Sequence, residues 1–339
     1  MLFWIGIKLK IVAGIAGVSI ATVSRVLNAD PVVKNETRLV VQKAIRDSGY
    51  QPNRVAQRLR STSKSRKLIG LLIPDIQNPF YIDVIRGIED YAYANDAAVV
   101  IGNFSQDPKK EKLYIDILRS EAVDGFIAAP THGKDHYVEA LINDGHAVVC
   151  IDRGLTNLSA DVVKSDNEKG AFTATEHLIQ LGHRRIAHIS GDPSIPTTQE
   201  RIAGYKAALH KYDLPVENEL IKGREYNYKS GVELTQEMLD MPQRPTAIFC
   251  GNNLLTLGSL ETLLKQNIRI PEEIAIVGFD DVYWAASLNP PLTAIRQHAF
   301  EIGQRATELL YQRILHPTRL PVNVIIKTEL IVRKSCGFK

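Results

Sequence analysis

From residue 68 onward, short apolar runs alternate with amphipathic segments, and this alternation constrains the fold more than any other feature of the sequence. Seven apolar runs have the length of buried strands: Leu68–Ile73, Ala97–Ile101, Phe126–Ala129, Ala147–Ile151, Ile186–Ile189, Ala247–Cys250 and Ile274–Val277. Seven stretches show helical spacing: Phe80–Asn95, Lys109–Arg119, Tyr137–Asn143, Ala171–Leu181, Glu200–Tyr212, Gly231–Leu239 and Leu255–Gln266. Such alternation is typical of doubly wound parallel sheets. Because these units are too many for one open sheet, we expect an α/β core of two doubly wound lobes that divide near Asp152–Asp166.

The chain of 339 residues is long enough for two or three domains. We expect a small all-α head in residues 1–50 and a core in residues 68–339. In residues 51–67 we expect a short hinge helix that starts after Pro52, followed by a Ser-, Thr- and Lys-rich linker.

Positive charge is concentrated at the beginning of the chain. Residues 1–67 hold 13 Lys and Arg against 3 Asp and Glu, whereas the remaining 272 residues hold 28 against 35. Residues 51–67 carry basic side chains and no acidic one. A basic head on a mildly acidic body indicates a polyanionic partner for the head alone.

The head contains three short amphipathic stretches, about Leu9–Ala16, Ile20–Asn28 and Lys34–Ser48. Gly17 leaves room only for a short turn between the first two, which predicts a helix-turn-helix. Ser19 suits the N-cap of the second helix. The spacing predicts that the following side chains face inward: Val23, Val26 and Leu27 in the second helix, and Leu39, Val40, Ala44 and Ile45 in the third.

The first twenty residues are apolar enough to raise the question of export. Their apolar core is only about 10 residues long and a densely basic amphipathic segment follows, so we do not expect a signal peptide. No other segment approaches the roughly 18 apolar residues that a membrane span requires. The three cysteines form no C-x-x-C pair, and their odd number favours a reducing, cytoplasmic location.

The sequence lacks the usual catalytic and cofactor motifs. It contains no Walker A loop, G-x-G-x-x-G, G-x-S-x-G or H-E-x-x-H pattern, so we expect neither an enzyme nor a cofactor. His132 and His136 are four residues apart, but we interpret them as surface residues and expect no metal site. Asp280 and Asp281 could form an acid–base pair; we favour a strand-end carboxylate that binds a ligand hydroxyl, beside a capping residue.

Ligands of doubly wound sheets bind beyond the carboxyl ends of the strands. The polar residues that follow the predicted strands are therefore the first candidates for a binding site: Asp75, Asn78, Thr131, Asp152, Arg153, Asp192, Asn252, Asn253, Asp280 and Asp281. We expect a ligand pocket where these strand ends meet.

Motifs in a fixed order give the chain a resemblance to the lactose/galactose repressor family. They are A-G-V-S-I-A-T-V-S-R-V-L-N (Ala16–Asn28), G-Y-Q-P-N-R-V-A-Q-R-L-R (Gly49–Arg60), I-P-D-I-Q-N-P-F-Y (Ile73–Tyr81), V-D-G-F-I (Val123–Ile127), L-G-H-R-R-I (Leu181–Ile186), R-I-A-G-Y (Arg201–Tyr205), R-P-T-A-I-F-C-G-N (Arg244–Asn252), V-G-F-D-D (Val277–Asp281) and P-P-L-T-A-I-R-Q (Pro290–Gln297). The similarity covers about residues 9–335 and implies a helix-turn-helix head on a core like that of periplasmic sugar-binding proteins. The implied lobes interleave, with residues of about 68–160 and 293–318 in the first and about 161–292 and 319–339 in the second.

The resemblance also implies a homodimer or tetramer whose affinity for operator DNA is controlled by a small molecule, with a phosphocarrier protein as corepressor still open. In the head, Ile20, Ala21 and Arg25 match base-reading positions, and an arginine can bind a guanine edge through two hydrogen bonds. Phosphate contacts fall to Ser19, Thr22, Ser24 and Asn28. In the hinge, the resemblance implies DNA contacts from Asn53, Arg54 and Arg60. Leu59 matches a leucine that wedges into the minor groove; the alternative, a core leucine, suits its polar and basic neighbours poorly.

In the core, the resemblance implies effector contacts from eight residues: Phe80, Tyr81, Asp152, Thr197, Arg201, Tyr226, Asn252 and Asp280. Aromatic rings stack on the apolar face of a sugar, while Arg and Asp bind its hydroxyls. The alternative to effector binding is that Phe80 and Tyr81 pack in the core and that Arg201 lies on a solvated helix face. Ile195 stands where purine-responsive members carry an Arg, which argues against a purine effector.

The sequence therefore predicts a repressor that binds a palindromic operator as a dimer, with an affinity controlled by a sugar or sugar derivative. The alternative from another class is a periplasmic-type sugar-binding transport protein, for which the core alone would suffice. The basic head favours the repressor, because a transport receptor has no use for it. An enzyme is the third hypothesis, and the missing catalytic motifs disfavour it.

Overall fold

The computed structural model describes residues 2–27, 30, 32–48, 50, 67–131, 137–155 and 158–337. The chain divides into two compact units, Met1–Lys67 and Leu68–Lys339. The predicted site residues Asn28, Asn53, Arg54, Leu59, Arg60, His132 and His136 lie outside the described residues. Among the described residues, no single helix has both the length and the apolar composition of a membrane span; the pair Leu9–Ala16 and Ile20–Leu27 reaches both only when counted together.

The described residues of the first unit form three helices: α1 (Leu2–Ala16), α2 (Ile20–Leu27) and α3 (Asn35–Asp47). The segments Leu9–Ala16 and Ile20–Leu27 meet at 100°, within the range of a helix-turn-helix. Gly17 makes the turn with a φ of +63°, a backbone conformation that glycine adopts without a steric penalty. The Oγ of Ser19 accepts a hydrogen bond from the backbone N–H of Thr22 at 3.1 Å, which confirms Ser19 as the N-cap.

A small apolar core holds the three helices of the head together. Its buried members are Leu9, Val12, Ala13, Ala16, Val23, Val26, Val41 and Ala44. The inward positions predicted for α2 are confirmed, with Leu27 partly buried. In α3, Ala44 and Ile45 pack inward as predicted, but Leu39 and Val40 do not: they are 64% and 49% exposed. Val41 takes the inward position instead, because it stands three and four residues before Ala44 and Ile45 and therefore shares their face of the helix.

The core unit contains two sheets. The strands of the first are β1 (Lys67–Ile73), β2 (Ala97–Asn103), β3 (Gly125–Ala128), β4 (Val148–Ile151), β5 (Asp161–Ser165) and β11 (Asn323–Ile326). The strands of the second are β6 (Ile186–Ser190), β7 (Ile221–Gly223), β8 (Ala247–Cys250), β9 (Ala275–Phe279), β10 (Thr293–Arg296) and β12 (Glu329–Ile331). Their spatial orders are β11-β5-β4-β3-β1-β2 and β12-β10-β9-β8-β6-β7. The recorded pairings are parallel except that β12 runs antiparallel to β10.

Helices cover the sheets and complete two lobes. Those of the first lobe are α4 (Pro79–Ala94), α5 (Pro108–Ser120), α6 (Tyr137–Asn143) and α11 (Ala299–Leu315). Those of the second lobe are α7 (Asn167–Gln180), α8 (Pro196–Lys211), α9 (Tyr228–Leu239) and α10 (Asn253–Lys265). This architecture confirms the predicted fold class, an all-α head with an α/β core of two parallel-sheet lobes.

The chain passes between the lobes three times, at Asp166, at Gln297–His298 and at Lys327–Thr328. The predicted lobe boundaries are therefore wrong for three strands: β5 and β11 belong to the first lobe, and β10 belongs to the second. Backbone pairing decides their membership, since β5 pairs with β4 and β10 pairs with β9. Each of these strands has only two or three apolar residues in succession, flanked by polar ones, so its apolar pattern alone does not mark it.

Candidate functional site

The described residues of the head that were predicted to contact DNA lie on or beside α2. Val23 and Val26 are buried, and the opposite side of the helix presents Ile20, Ala21 and Arg25 to solvent. Exposed Ser19 and partly exposed Thr22 and Ser24 border this face. The packing of the head thus leaves one side of a short helix free, which is the arrangement that a recognition helix needs to enter a major groove.

A cleft of about 500 Å³ opens at the carboxyl ends of strands from both lobes. All eight core residues predicted to contact an effector line it: Phe80, Tyr81, Asp152, Thr197, Arg201, Tyr226, Asn252 and Asp280. Four further strand-end candidates also line it, namely Asp75, Asn78, Arg153 and Asp192. The remaining candidates, Thr131, Asn253 and Asp281, do not line it; Thr131, for example, donates two hydrogen bonds to Glu111.

On the first-lobe wall, a hydrogen-bonded chain holds the carboxylate of Asp152. The hydroxyl of Tyr81 donates to its Oδ2 at 3.0 Å, and Nη1 of Arg153 donates to the same oxygen at 3.2 Å. Arg153 also donates to the carbonyl oxygen of Pro130 and to Oε1 of Gln106, at 2.7 and 3.2 Å. Burial is the main reason why the pKa of Tyr81 is raised, so its hydroxyl keeps the proton and remains a hydrogen-bond donor. Arg153 therefore positions Asp152 instead of presenting a free guanidinium.

On the second-lobe wall, Arg201 lies flat on an aromatic ring. Its guanidinium carbon is 3.8 Å from the centre of the Phe279 ring, a cation–π contact. Nε donates to Oδ1 of Asn167 at 3.0 Å, and Nη1 donates to the carbonyl oxygen of Gly251. Within the described part of the chain, Nη2 has no hydrogen-bond partner. This nitrogen is the donor that Arg201 can offer to a ligand in the cleft.

The two neighbouring carboxylates after β9 have separate partners. Asp280 faces the cleft, where its Oδ1 accepts from Nε2 of Gln297 and its Oδ2 accepts from the backbone N–H of Asn253. Burial raises the pKa of Asp280, and the positive charge of Arg201 opposes that shift. Asp281 instead forms ion pairs with Arg296 at 2.7 Å and Arg333 at 2.6 Å. These partners favour one ligand-facing and one structural carboxylate over an acid–base pair.

Asp152 and Asp280 hold equivalent places at the ends of β4 and β9. Both have left-handed backbones, with φ of +66° and +80°. Non-glycine residues rarely adopt this conformation, and Asp is among the few that tolerate it. Backbone strain of this kind concentrates at binding sites, where the surrounding structure maintains it. Here it turns one carboxylate of each lobe into the same cleft.

Gly191 is a site residue that the sequence reasoning missed. A Cβ at this position would lie 2.2 Å from the ring of Tyr226, so only a residue without a side chain leaves room for that ring. The hydroxyl of Tyr226 accepts a hydrogen bond from Oγ1 of Thr198 at 2.9 Å, and burial raises its pKa. The signal was available, because Gly191 stands two residues after the predicted strand Ile186–Ile189 and directly after β6 as observed.

Other lining residues were missed because their strands were misjudged. They are Asn103 at the end of β2, Ser105 and Gln106 after it, and Gln297 after β10. The predicted β2 ends two residues early, and β10 was not predicted at all. Among the described residues, no group of three His, Cys, Asp or Glu side chains is placed to hold a metal ion.

Comparison with known proteins gives the same division of the chain. Residues 8–53 match the model of bacterial regulatory proteins of the lacI family, and residues 66–334 match that of periplasmic binding proteins and the sugar binding domain of the LacI family. The HTH-type transcriptional repressor PurR of Mannheimia succiniciproducens is 30% identical over 96% of this chain and 98% of its own length.

Two solved structures match nearly the whole chain. The lac repressor dimer bound to operator and the anti-inducer ONPF is 27% identical, with a TM-score of 0.77 over 96% of this chain and 97% of that chain. The complex of the transcriptional regulator CelR with cellobiose is 30% identical, with a TM-score of 0.74 over 96% of this chain and 99% of that chain. The chain therefore belongs to the LacI family of bacterial regulatory proteins, which are DNA-binding transcriptional regulators.

Proposed function

We propose that this regulator binds an uncharged, sugar-like effector in the cleft between its lobes, and that effector occupancy changes its affinity for a palindromic operator. The observation that carries the proposal is the convergence of aromatic rings and hydrogen-bonding side chains from both lobes on one cleft. Phe80, Tyr81 and Tyr226 supply rings for the apolar face of a sugar, while Asp152, Arg201 and Asp280 supply partners for its hydroxyls. The similarity to a cellobiose-bound regulator supports this class of ligand.

The charge of the cleft favours an uncharged sugar over a sugar phosphate. Five carboxylates line it: Asp75, Asp152, Asp192, Glu225 and Asp280. Among the described residues of the cleft, two guanidiniums, Arg153 and Arg201, oppose them, and both already donate to protein acceptors. A phosphate group would therefore find a net negative surface and few free donors.

The apolar side chain of Ile195 argues against a purine. This residue is 8% exposed, precedes α8 and lines the cleft. It offers no hydrogen bond to the edge of a planar base, which needs donors and acceptors in its own plane. The name of the PurR relative is therefore not carried over to the effector of this chain.

In the head, Ile20, Ala21 and Arg25 are proposed to read base edges, with Ser19, Thr22 and Ser24 on phosphates. LacI-family repressors bind operator DNA as dimers, so each half-site receives one recognition helix. We propose the outer face of the first lobe as the dimer contact. There the edge strand β2 exposes Val100 and Ile101, and α5 exposes Leu113 and Ile117. An exposed apolar edge is a surface that proteins normally cover.

Thermal-shift screening of the full-length protein tests the effector class. The panel holds neutral mono- and disaccharides, the matching sugar phosphates, and purine bases and nucleosides. A ligand at a hundred times its Kd stabilises the folded protein by about 2.7 kcal/mol. We expect a neutral sugar to shift the wild type and Arg269→Ala, a surface variant of the same lobe, but not Asp280→Ala. A purine or sugar phosphate as the strongest ligand, or a shift that survives Asp280→Ala, would contradict the proposal.

A further inference from the structure

Beside the cleft, a hydrogen bond between two amide side chains joins the lobes. Nδ2 of Asn253 donates to Oδ1 of Asn78 at 2.8 Å. Asn78 caps the start of α4 in the first lobe, and Asn253 is the first residue of α10 in the second. The two residues are 175 positions apart in sequence. Because they belong to different lobes, the hydrogen bond exists only while the lobes are together.

The direction of this bond is fixed by the helix that Asn78 caps. Its Oδ1 also accepts from the backbone N–H of Phe80 at 3.0 Å, so the oxygen must be the atom in this position. Asn253 must therefore present its NH₂ group, because two oxygens facing each other would repel. An aspartate at position 253 could not make the contact, whereas an aspartate at position 78 could.

Burial of the Asn253 side chain carries a free-energy cost, and the hydrogen bond across the lobes helps to offset it. The residue is 2% exposed, and among the described residues its Oδ1 has no hydrogen-bond partner. A buried carbonyl oxygen without a partner is unfavourable. The backbone N–H of Asn253 donates to Oδ2 of Asp280 at 3.2 Å, and Oδ1 of Asp280 accepts from Gln297 in one of the crossings between the lobes. The amide pair is thus connected to a cleft carboxylate and to a hinge.

We propose that Asn253 and Asn78 form a latch that holds the lobes together in the ligand-free regulator. Asn253 is then a positioning residue of the effector site, since it sets the free-energy difference between the open and closed cleft. A ligand changes such an equilibrium only by its different affinity for the two states. A regulator with a strong latch therefore starts closer to the closed state and gains less closure from its effector.

Pulsed electron paramagnetic resonance on the full chain without effector tests the latch directly. Nitroxides are attached to cysteines introduced at Lys109, at the start of α5, and Lys229, at the start of α9; both positions are exposed. The three native cysteines are buried, and burial raises the pKa of Cys150 and Cys250 to about 12, so they compete poorly for the label. Labelled chains are diluted into unlabelled ones, so that distances within one protomer dominate.

Asn253→Asp is expected to move the distance distribution to longer, broader values, and Asn253→Ala to do the same without added charge. Asn78→Asp is the matched control: it keeps an acceptor for both Phe80 and Asn253 and should leave the distribution unchanged. A wild-type distribution for a folded Asn253→Ala would overturn the proposal, and so would an equal opening by Asn78→Asp. If Asn253→Asp does not fold, Asn253→Ala and Asn78→Asp carry the comparison. The measurement needs no ligand, so its outcome is independent of the proposed effector.

Discussion

The guanidinium carbon of Arg201 lies 3.8 Å from the centre of the ring of Phe279, the last residue of β9. Asp280 follows directly, with its side chain in the cleft. The end of β9 thus supplies both the Asp280 carboxylate that faces the ligand and the Phe279 ring against which the Arg201 guanidinium packs. Cation and carboxylate are positioned as one unit, and neither has to move to receive a polar ligand.

Arg201→Lys should weaken the effector response although it keeps the positive charge. A lysine cannot donate at once to Asn167, to Gly251 and to a ligand, because it lacks the planar fork of donors. Leaving buried partners unpaired costs about 1–3 kcal/mol, or roughly a five- to 150-fold higher effector concentration for half-maximal response. Operator binding without effector should persist. The measurement is an operator-binding titration against the effector found by screening, with Arg269→Ala as the surface control; a wild-type response of Arg201→Lys would place the site elsewhere.

Asp280→Asn should stabilise the ligand-free protein near neutral pH. Burial raises the pKa of Asp280, so between its unfolded and folded values the folded state binds more protons than the unfolded state. The free energy of unfolding then decreases as pH rises through the folded-state pKa, and above it the penalty is fully present. The amide removes that penalty; its oxygen accepts from Asn253, and Gln297 turns its own amide so that its oxygen accepts from the new NH₂ group. Urea denaturation at several pH values should show a gain near pH 7 that shrinks toward about pH 4, near the ordinary Asp value. A gain of equal size at every pH would contradict this reasoning.

Gly191→Ala should impair effector binding without removing any hydrogen-bonding group. The added Cβ would meet the Tyr226 ring at 2.2 Å and displace it from the cleft wall. We expect at least a tenfold loss of effector affinity, about 1.4 kcal/mol, measured by isothermal titration calorimetry. Tyr226→Ala removes the same ring and should give a similar loss. The double variant should add little to either single one, since both act through one side chain; full additivity would separate Gly191 from Tyr226.

Arg25→Ala should lower both affinity and sequence discrimination at the operator. Removal of a two-bonded contact with guanine costs about 1–3 kcal/mol at that base pair, while binding to random DNA changes much less. Lys43→Ala on α3 is the control for the loss of one exposed positive charge in the head. Equal losses on operator and random DNA would reduce Arg25 to a phosphate contact.

Operator affinity should fall steeply with salt concentration. The first 67 residues, which comprise the head and the linker, carry 13 basic residues, and each neutralised phosphate contributes a slope of about −0.9 to log K against log salt. The fragment 68–339 should not bind DNA at any salt concentration, because its net charge is negative. A flat salt dependence, or DNA binding by the fragment, would contradict an electrostatic role for the head.

The sequence predicts most of the fold because the apolar runs are strong where strands are central. All seven predicted strands and the ten helices predicted within the described residues exist, with ends displaced by a few residues; the hinge helix predicted after Pro52 lies outside the described residues. The misses are short or peripheral: β5, β10 and β11 have weak apolar patterns, and the lobe to which each belongs depends on pairing with a strand far away in sequence. The long helix α11 was also missed, although its amphipathic pattern is plain.

The cleft was predictable to a similar extent, and for a physical reason. The rule that ligands bind at strand ends requires only the strand boundaries, and it led directly to Asp152 and Asp280. Contacts across the cleft are different in kind. The hydrogen bond between Asn253 and Asn78 depends on how the lobes close. The cation–π contact of Arg201 with Phe279 depends on side-chain conformation. No local pattern in the sequence carries that information.

The left-handed backbones of Asp152 and Asp280 have a consequence for how this regulator could be given a new ligand. Only Gly, Asn or Asp fits such a position at low cost, so a library that randomises these two codons would consist mostly of unstable proteins. The helix starts that line the same cleft carry no such restriction: Phe80 lies in α4, Ile195 immediately before α8, and Thr197 within it. Redesign of specificity should therefore vary the helix starts and keep both strand-end aspartates as fixed anchors.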